Sequence, residues 1–157
     1  SMRELAALAG TDIRVRKLYP FFRENNNLTK IFLYHAEIGR ECASELALAL
    51  SQRQVKSLTA LCLFGNNLED EGFADIVQAL GTQPQLEHLL FSRNNIGRAG
   101  CEALGAMMRE RIFNLKYLFL SRNNIDDACL QALEPGLCNN SNLEQLSLSD
   151  PITAVGL

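Results

Sequence analysis

LEHLLFSRNNI at 86–96 and LKYLFLSRNNI at 115–125 are two copies of one phrase. Working outward, a third copy, LTALCLFGNNL, stands before them at 58–68, and a shorter one, LEQLSLS, follows at 143–149. Repetition at a near-constant period is the mark of a stacked-repeat architecture, in which no single unit can bury its own apolar side chains. Counting from the first leucine, apolar residues fall at the first, fourth and sixth places, for example Leu115, Leu118 and Leu120. The fourth and sixth alternate as a short strand does. The ninth place is asparagine in three units (Asn66, Asn94, Asn123) and the eleventh is apolar again.

The second half of each unit changes rhythm. Ile76 and Leu80, Leu104 and Met108, and Leu133 and Leu137 are four apart, which predicts a helix. A looser copy begins at Leu28 and runs through Ile31, Leu33, Ile38, Leu46 and Leu50, with Ala36 where the asparagine should be. Residues 1–27 read as a mostly helical N-terminal cap or degenerate repeat, because Leu18 and Phe22 precede Leu28 by the offsets at which Ile76 and Leu80 precede Leu86. Residues 28–157 then hold about four repeats, the last incomplete: a strand at 143–148, Pro151 in place of the loop asparagine, and no helix. Such an end leaves a strand edge uncovered, so the reading expects a piece of a larger protein, a tail folded back, or two copies meeting end to end.

The phrase LxxLxLxxNxL, returning at Leu58, Leu86, Leu115 and Leu143, resembles the leucine-rich repeat, and its helix-bearing length is similar to the ribonuclease-inhibitor-like subtype. The resemblance implies an α/β fold: a right-handed solenoid, a horseshoe segment with a parallel sheet on the concave face and helices on the convex face. It also implies a non-catalytic protein-recognition module, as in ribonuclease inhibitor, nucleotide-binding innate-immune receptors and tropomodulins. The related Ran GTPase-activating proteins supply the alternative, a regulator of a small GTPase.

Composition narrows the function classes. Fifteen basic against eighteen acidic residues, a net charge of −3, speaks against nucleic acid as partner. The apolar run Leu46–Leu50 is far short of the roughly 18 residues of a membrane span, so no membrane is expected. Five cysteines, odd in number and without a CxxC pair, suit reduced thiols in the cytoplasm or nucleus. No glycine-rich phosphate loop, metal-binding helix or nucleophile elbow occurs, so no cofactor, metal or catalytic residue is expected. His35 and His88 lie two strands apart and cannot share a metal. A Cys62–His88 pair would approach only diagonally, to roughly 7–8 Å. The acids Glu69-Asp70-Glu71 and Asp126-Asp127 fall where helices start and favour the positive end of the helix.

The candidate site comes from the alternation. If the fourth and sixth places point into the stack, the third, fifth and seventh point out of the concave face. The fifth place reads Phe32, Cys62, Leu90, Phe119, Ser147, an apolar column where solvent would favour polar residues. Tyr34 and Phe64 stand beside it at the seventh place, and His88 and Tyr117 at the third. Arg93 and Arg122 share the eighth place and suit an acidic partner. An apolar, aromatic patch flanked by charge fits a protein or peptide. The competing expectation is a face whose own side chains cover one another.

Overall fold

The computed structural model describes residues 4–7, 27–51, 57–110 and 114–148. Its strands are β1 (Glu4–Ala7), β2 (Lys30–Leu33), β3 (Ala60–Cys62), β4 (His88–Leu90), β5 (Tyr117–Phe119) and β6 (Gln145–Ser147). Helices α1 (Arg40–Leu50), α2 (Glu69–Leu80), α3 (Arg98–Arg109) and α4 (Asp127–Asn139) alternate with them from β2 onward. The six strands form one parallel sheet in chain order. Helices neighbour helices on one side and strands neighbour strands on the other: an α/β solenoid. No helix among the described residues is long and apolar enough to cross a membrane.

Register follows the phrase. Ile31, Leu61, Leu89, Leu118 and Leu146 are partners across successive strands, so all the fourth places form one row. Up to Leu118 this row is wholly buried, as are the first-place Leu28, Leu58, Leu86 and Leu115 and the sixth-place Leu33, Leu63, Phe91 and Leu120. The helices close the layer with Leu46, Ile76, Leu104 and Leu133, also fully buried. Each such side chain removed from water is worth about 1.5–3 kcal/mol, and that burial, shared between units, holds the stack together. Phe73 of α2 meets Phe91 edge-on, ring centroids 5.1 Å apart.

The ninth-place asparagines stitch neighbouring loops. Asn66 accepts from the N–H groups of Ala36 and Ile38, both at 3.0 Å, and donates to the carbonyls of Leu33 and Leu63. Asn123 repeats this with Asn94 and Ile96 as donors and Phe91 and Leu120 as acceptors. Asn94 departs from the pattern. Its amide nitrogen donates to Leu63 and Phe91, but its side-chain oxygen, fully buried, takes no hydrogen bond among the described residues. The loop it would have served enters α2 one place early: Glu69 turns left-handed at φ 58°, and its N–H goes to the main-chain oxygen of Asn94.

Helix starts account for the paired acids. The Asp126 carboxylate caps α4 by accepting from the Cys129 N–H at 2.9 Å, and that bond lowers its pKa. Asp70 accepts from the Gly97 N–H at 2.6 Å, tying the first turn of α2 to the next loop. Crowding between α1 and α2 requires a residue without a side chain at Gly72, since a Cβ there would lie 2.8 Å from that of Ala43. Farther along, α3 and α4 approach backbone to backbone: a Cβ on Gly105 would stand 2.1 Å from the Ala132 carbonyl oxygen.

Two expectations meet the structure at the ends of the stack. Within 1–27, Glu4–Ala7 is a strand, paired parallel with β2 through Leu5↔Ile31 and Ala7↔Leu33. Of the helical cap or degenerate repeat expected over residues 1–27, all but this strand and Asn27 lies outside the described residues. At the other end Leu146 is 41% exposed where its counterparts are fully buried, because no further unit covers β6 among the described residues. Pro151 and the tail after it also lie outside them.

Candidate partner-binding face

The strands place the third, fifth and seventh residues on one face, and the backbone then makes a common move. At the eighth place His35, Gly65, Arg93 and Arg122 all adopt positive φ, between 47° and 71°. Before turning, the N–H of His35, Gly65 and Arg93 donates to the seventh-place carbonyl of the next unit, each at 3.0 Å. The sheet ladder thus runs two or three residues past the named strands and ends in a left-handed step. For a residue with a Cβ this step costs about 1–2 kcal/mol, and glycine avoids it.

The face so built is partly closed by its own side chains. Ala60 and Cys62 of β3 are 3% and 2% exposed. Phe32 stacks on Tyr34 with centroids 6.0 Å apart, and the His35 ring lies against Gly65, where a Cβ would come within 2.2 Å of it, and meets Phe64 edge-on at 5.2 Å. Burial, the largest influence on the Cys62 thiol, pushes its pKa up against smaller lowering from the Phe64 main chain and Tyr34, so it is a poor nucleophile. Farther along, Leu90 and Phe119 are half-buried partners across β4 and β5. The His88 and Tyr117 rings stack at 4.5 Å with 18° between planes. Burial, the largest influence on His88, lowers its pKa, against a smaller upward pull from Glu87.

The two rims differ in charge. On the side where the strands begin, Lys116 pairs with Glu87 at 3.0 Å, and the Tyr117 hydroxyl donates to Glu144 at 2.9 Å. Where the strands end, Arg93 and Arg122 are exposed. Arg93 lies over the Phe64 ring at 5.7 Å, and neither guanidinium has a carboxylate partner among the described residues. Seventh-place Ser92 and Ser121 hydrogen-bond to each other at 2.8 Å.

All nine residues singled out from the sequence therefore border this face. Phe32, Tyr34, Phe64, His88, Leu90, Tyr117 and Phe119 are half-buried, and the two arginines stand exposed at the rim. Column reading missed the sealing of Ala60 and Cys62, which follows from their small size beside large neighbours. It also missed the rim pairs of Glu87, Lys116 and Glu144, which a count of the second place would have found. Among the described residues no group of His, Cys, Asp and Glu is arranged to hold a metal.

Comparison with known proteins bears on the repeats. A Leucine Rich repeat family profile matches residues 56–77, 83–105 and 112–133. The Tonsoku-like protein of Mus musculus is 35% identical over 102 residues, 57% of this chain and 8% of that protein; the Bos taurus counterpart is 35% identical over the same length, 7% of its own. The NACHT, LRR and PYD domains-containing protein 3 of Macaca mulatta is 26% identical over 151 residues, 78% of this chain and 14% of that protein. The chain thus spans under a sixth of each of these curated relatives. A solved structure titled Leiomodin-1 Actin-Binding Site 2 superposes with a TM-score of 0.63 at 17% identity, covering 88% of this chain and 82% of that one, a likeness of fold alone. With one strand per unit, the asparagine amides bridging successive loops and three consecutive units matched, the chain belongs to the leucine-rich repeat proteins.

Proposed function

We propose that this chain is a non-catalytic protein-recognition module that holds a protein partner against its concave sheet face, within a larger scaffold or regulatory protein. The observation that supports it most directly is the half-covered floor of Leu90 and Phe119 with the His88–Tyr117 ring stack at its edge. Partly wet aromatic and aliphatic side chains, rimmed by charge, are the usual anchors of protein interfaces. The repeat period and convex helices support the ribonuclease-inhibitor-like subtype. The odd cysteine count supports a reducing compartment, cytoplasm or nucleus.

The test uses two adjacent positions of β5. Phe119→Asp should leave the far-ultraviolet circular dichroism and melting temperature nearly unchanged and abolish capture of the partners retained by the wild type. Leu118→Asp should unfold the chain, because it buries a charge in a fully enclosed site, a loss of several kcal/mol. If both variants fold and capture the same partners, the face is not the interface. The other reading, an activator of a small GTPase, draws on the exposure of Arg93 and Arg122 alone. GTP hydrolysis measured against a panel of GTPases separates the two; acceleration lost in Arg122→Ala would favour the activator.

A further inference from the structure

We infer that the rim of Arg93 and Arg122, with Leu90 and Phe119 as its floor, binds an acidic peptide segment of the partner, whose Asp or Glu carboxylates sit on the two guanidinium groups. This rests on the concave face being the partner surface and adds the chemistry of what it takes.

Three observations carry it. The first is spacing. Leu90 and Phe119 are register partners, so Arg93 and Arg122, each three residues farther on, sit about one strand spacing of 4.8 Å apart at the backbone. Each guanidinium can take a carboxylate through two parallel hydrogen bonds, a geometry that lysine cannot reproduce.

The second is backbone conformation. Both arginines occupy left-handed positions, at φ 59° and 56°, where Gly65 fills the equivalent place in the second unit. Folding alone favours glycine there. Nor does the fold gain an ion pair, for neither side chain has a carboxylate partner among the described residues. The contact of Arg93 with the Phe64 ring is a small return and Arg122 has no counterpart to it among the described residues; residues kept in a strained conformation for so little are found where a site needs their chemistry.

The third is charge complementarity. The exposed tenth-place neighbours, Asn95 and Asn124, are neutral. Glu87 and Glu144, at the starts of β4 and β6, lie at the opposite rim and are engaged by Lys116 and Tyr117; past the strand ends Glu69, Asp70 and Asp126 accept from Asn67, the Gly97 N–H and the Cys129 N–H. This end of the face is a cationic edge beside an apolar floor, and it selects acidic residues placed next to an aromatic or aliphatic one.

Panning a random-peptide library on the wild-type protein requires no knowledge of the partner. Selected peptides should be enriched in Asp and Glu beside an apolar residue. Synthesised and measured by fluorescence polarisation, they should weaken as salt is raised. Against the Arg93→Gly/Arg122→Gly variant they should lose about tenfold or more in affinity, with a melting temperature equal to or above that of the wild type. Enrichment without acids, equal binding by the glycine variant, or preference for phosphoserine peptides over Asp and Glu ones would overturn the assignment, as would a lower melting temperature in the variant. If Phe119→Asp abolishes binding while the glycine variant does not, the concave face stands and only the acidic chemistry falls. If neither variant changes binding, the reading of the face falls with it.

Discussion

The concave face over β2 and β3 and the same face over β4 and β5 share a backbone and differ in what stands on it. Over β3 the outward places are Ala60 and Cys62, both sealed, and the left-handed step is a glycine beneath the His35 ring. Over β4 and β5 the outward places are His88, Leu90, Tyr117 and Phe119, all half-buried, and the step carries two arginines in the open. The difference teaches that a repeat frame fixes where side chains emerge and leaves their size to decide whether a face is closed or available. Small residues under large neighbours close it; large residues in adjacent strands hold each other partly out.

If the frame is common, the same cut should cost the same in both halves. Asn66 and Asn123 each make four hydrogen bonds that satisfy buried main-chain groups. Replacing either by alanine should cost about 3 kcal/mol or more in chemical denaturation. A loss confined to one of them would break the claim of a shared frame. Asn94→Ala should cost less than either, because the Asn94 side-chain oxygen accepts nothing among the described residues.

A smaller effect separates the two kinds of left-handed step. Gly65→Ala adds a Cβ within 2.2 Å of the His35 ring at φ 71°, and should lower stability by about 1–2 kcal/mol. Thermal melts of this variant beside Arg93→Gly should move in opposite directions, or Gly65 alone should move. Equal losses would mean the two halves are built alike after all.

The smallest effect is electrostatic. Burial against Tyr117 holds the His88 pKa below the usual imidazole value of 6.5, so folding favours the neutral ring. Its contribution to stability is then complete above 6.5 and fades as the pH falls through that value toward the folded-state pKa. Proton NMR should place the His88 midpoint below 6.5, and Tyr117→Ala should raise it. A midpoint at or above 6.5 in the wild type would mean the stacked rings are fully wetted.

Much of this architecture was legible in spacing alone. The recurrence of Leu58, Leu86, Leu115 and Leu143 located four strands in register, and the four-residue rhythm after them located the helices, because burial on one side leaves a period in the sequence. The ninth-place asparagines stood out by the same period. Strand β1 was not: Leu5 and Ala7 occupy motif places, but no ninth-place asparagine follows. The left-handed eighth place was hidden too, since Gly65 is its only glycine and His35, Arg93 and Arg122 give no local sign of φ. Likewise, the sealing of Cys62 depends on neighbours from other strands, which no one-dimensional period records.

The close approach of α3 to α4 bears on what can be held. Hydrogen bonding fixes the inner spacing of the sheet at about 4.8 Å per unit, whereas helices with bulky contacts sit about 8–10 Å apart. The wedge between those two spacings bends the arc. By letting α3 and α4 meet backbone to backbone, Gly105 narrows that wedge on its outer side, and a narrower wedge bends the arc less. A side chain larger than glycine at that point of the convex surface would deepen the curvature on the far side of the molecule, changing the shape of the face without touching any residue on it.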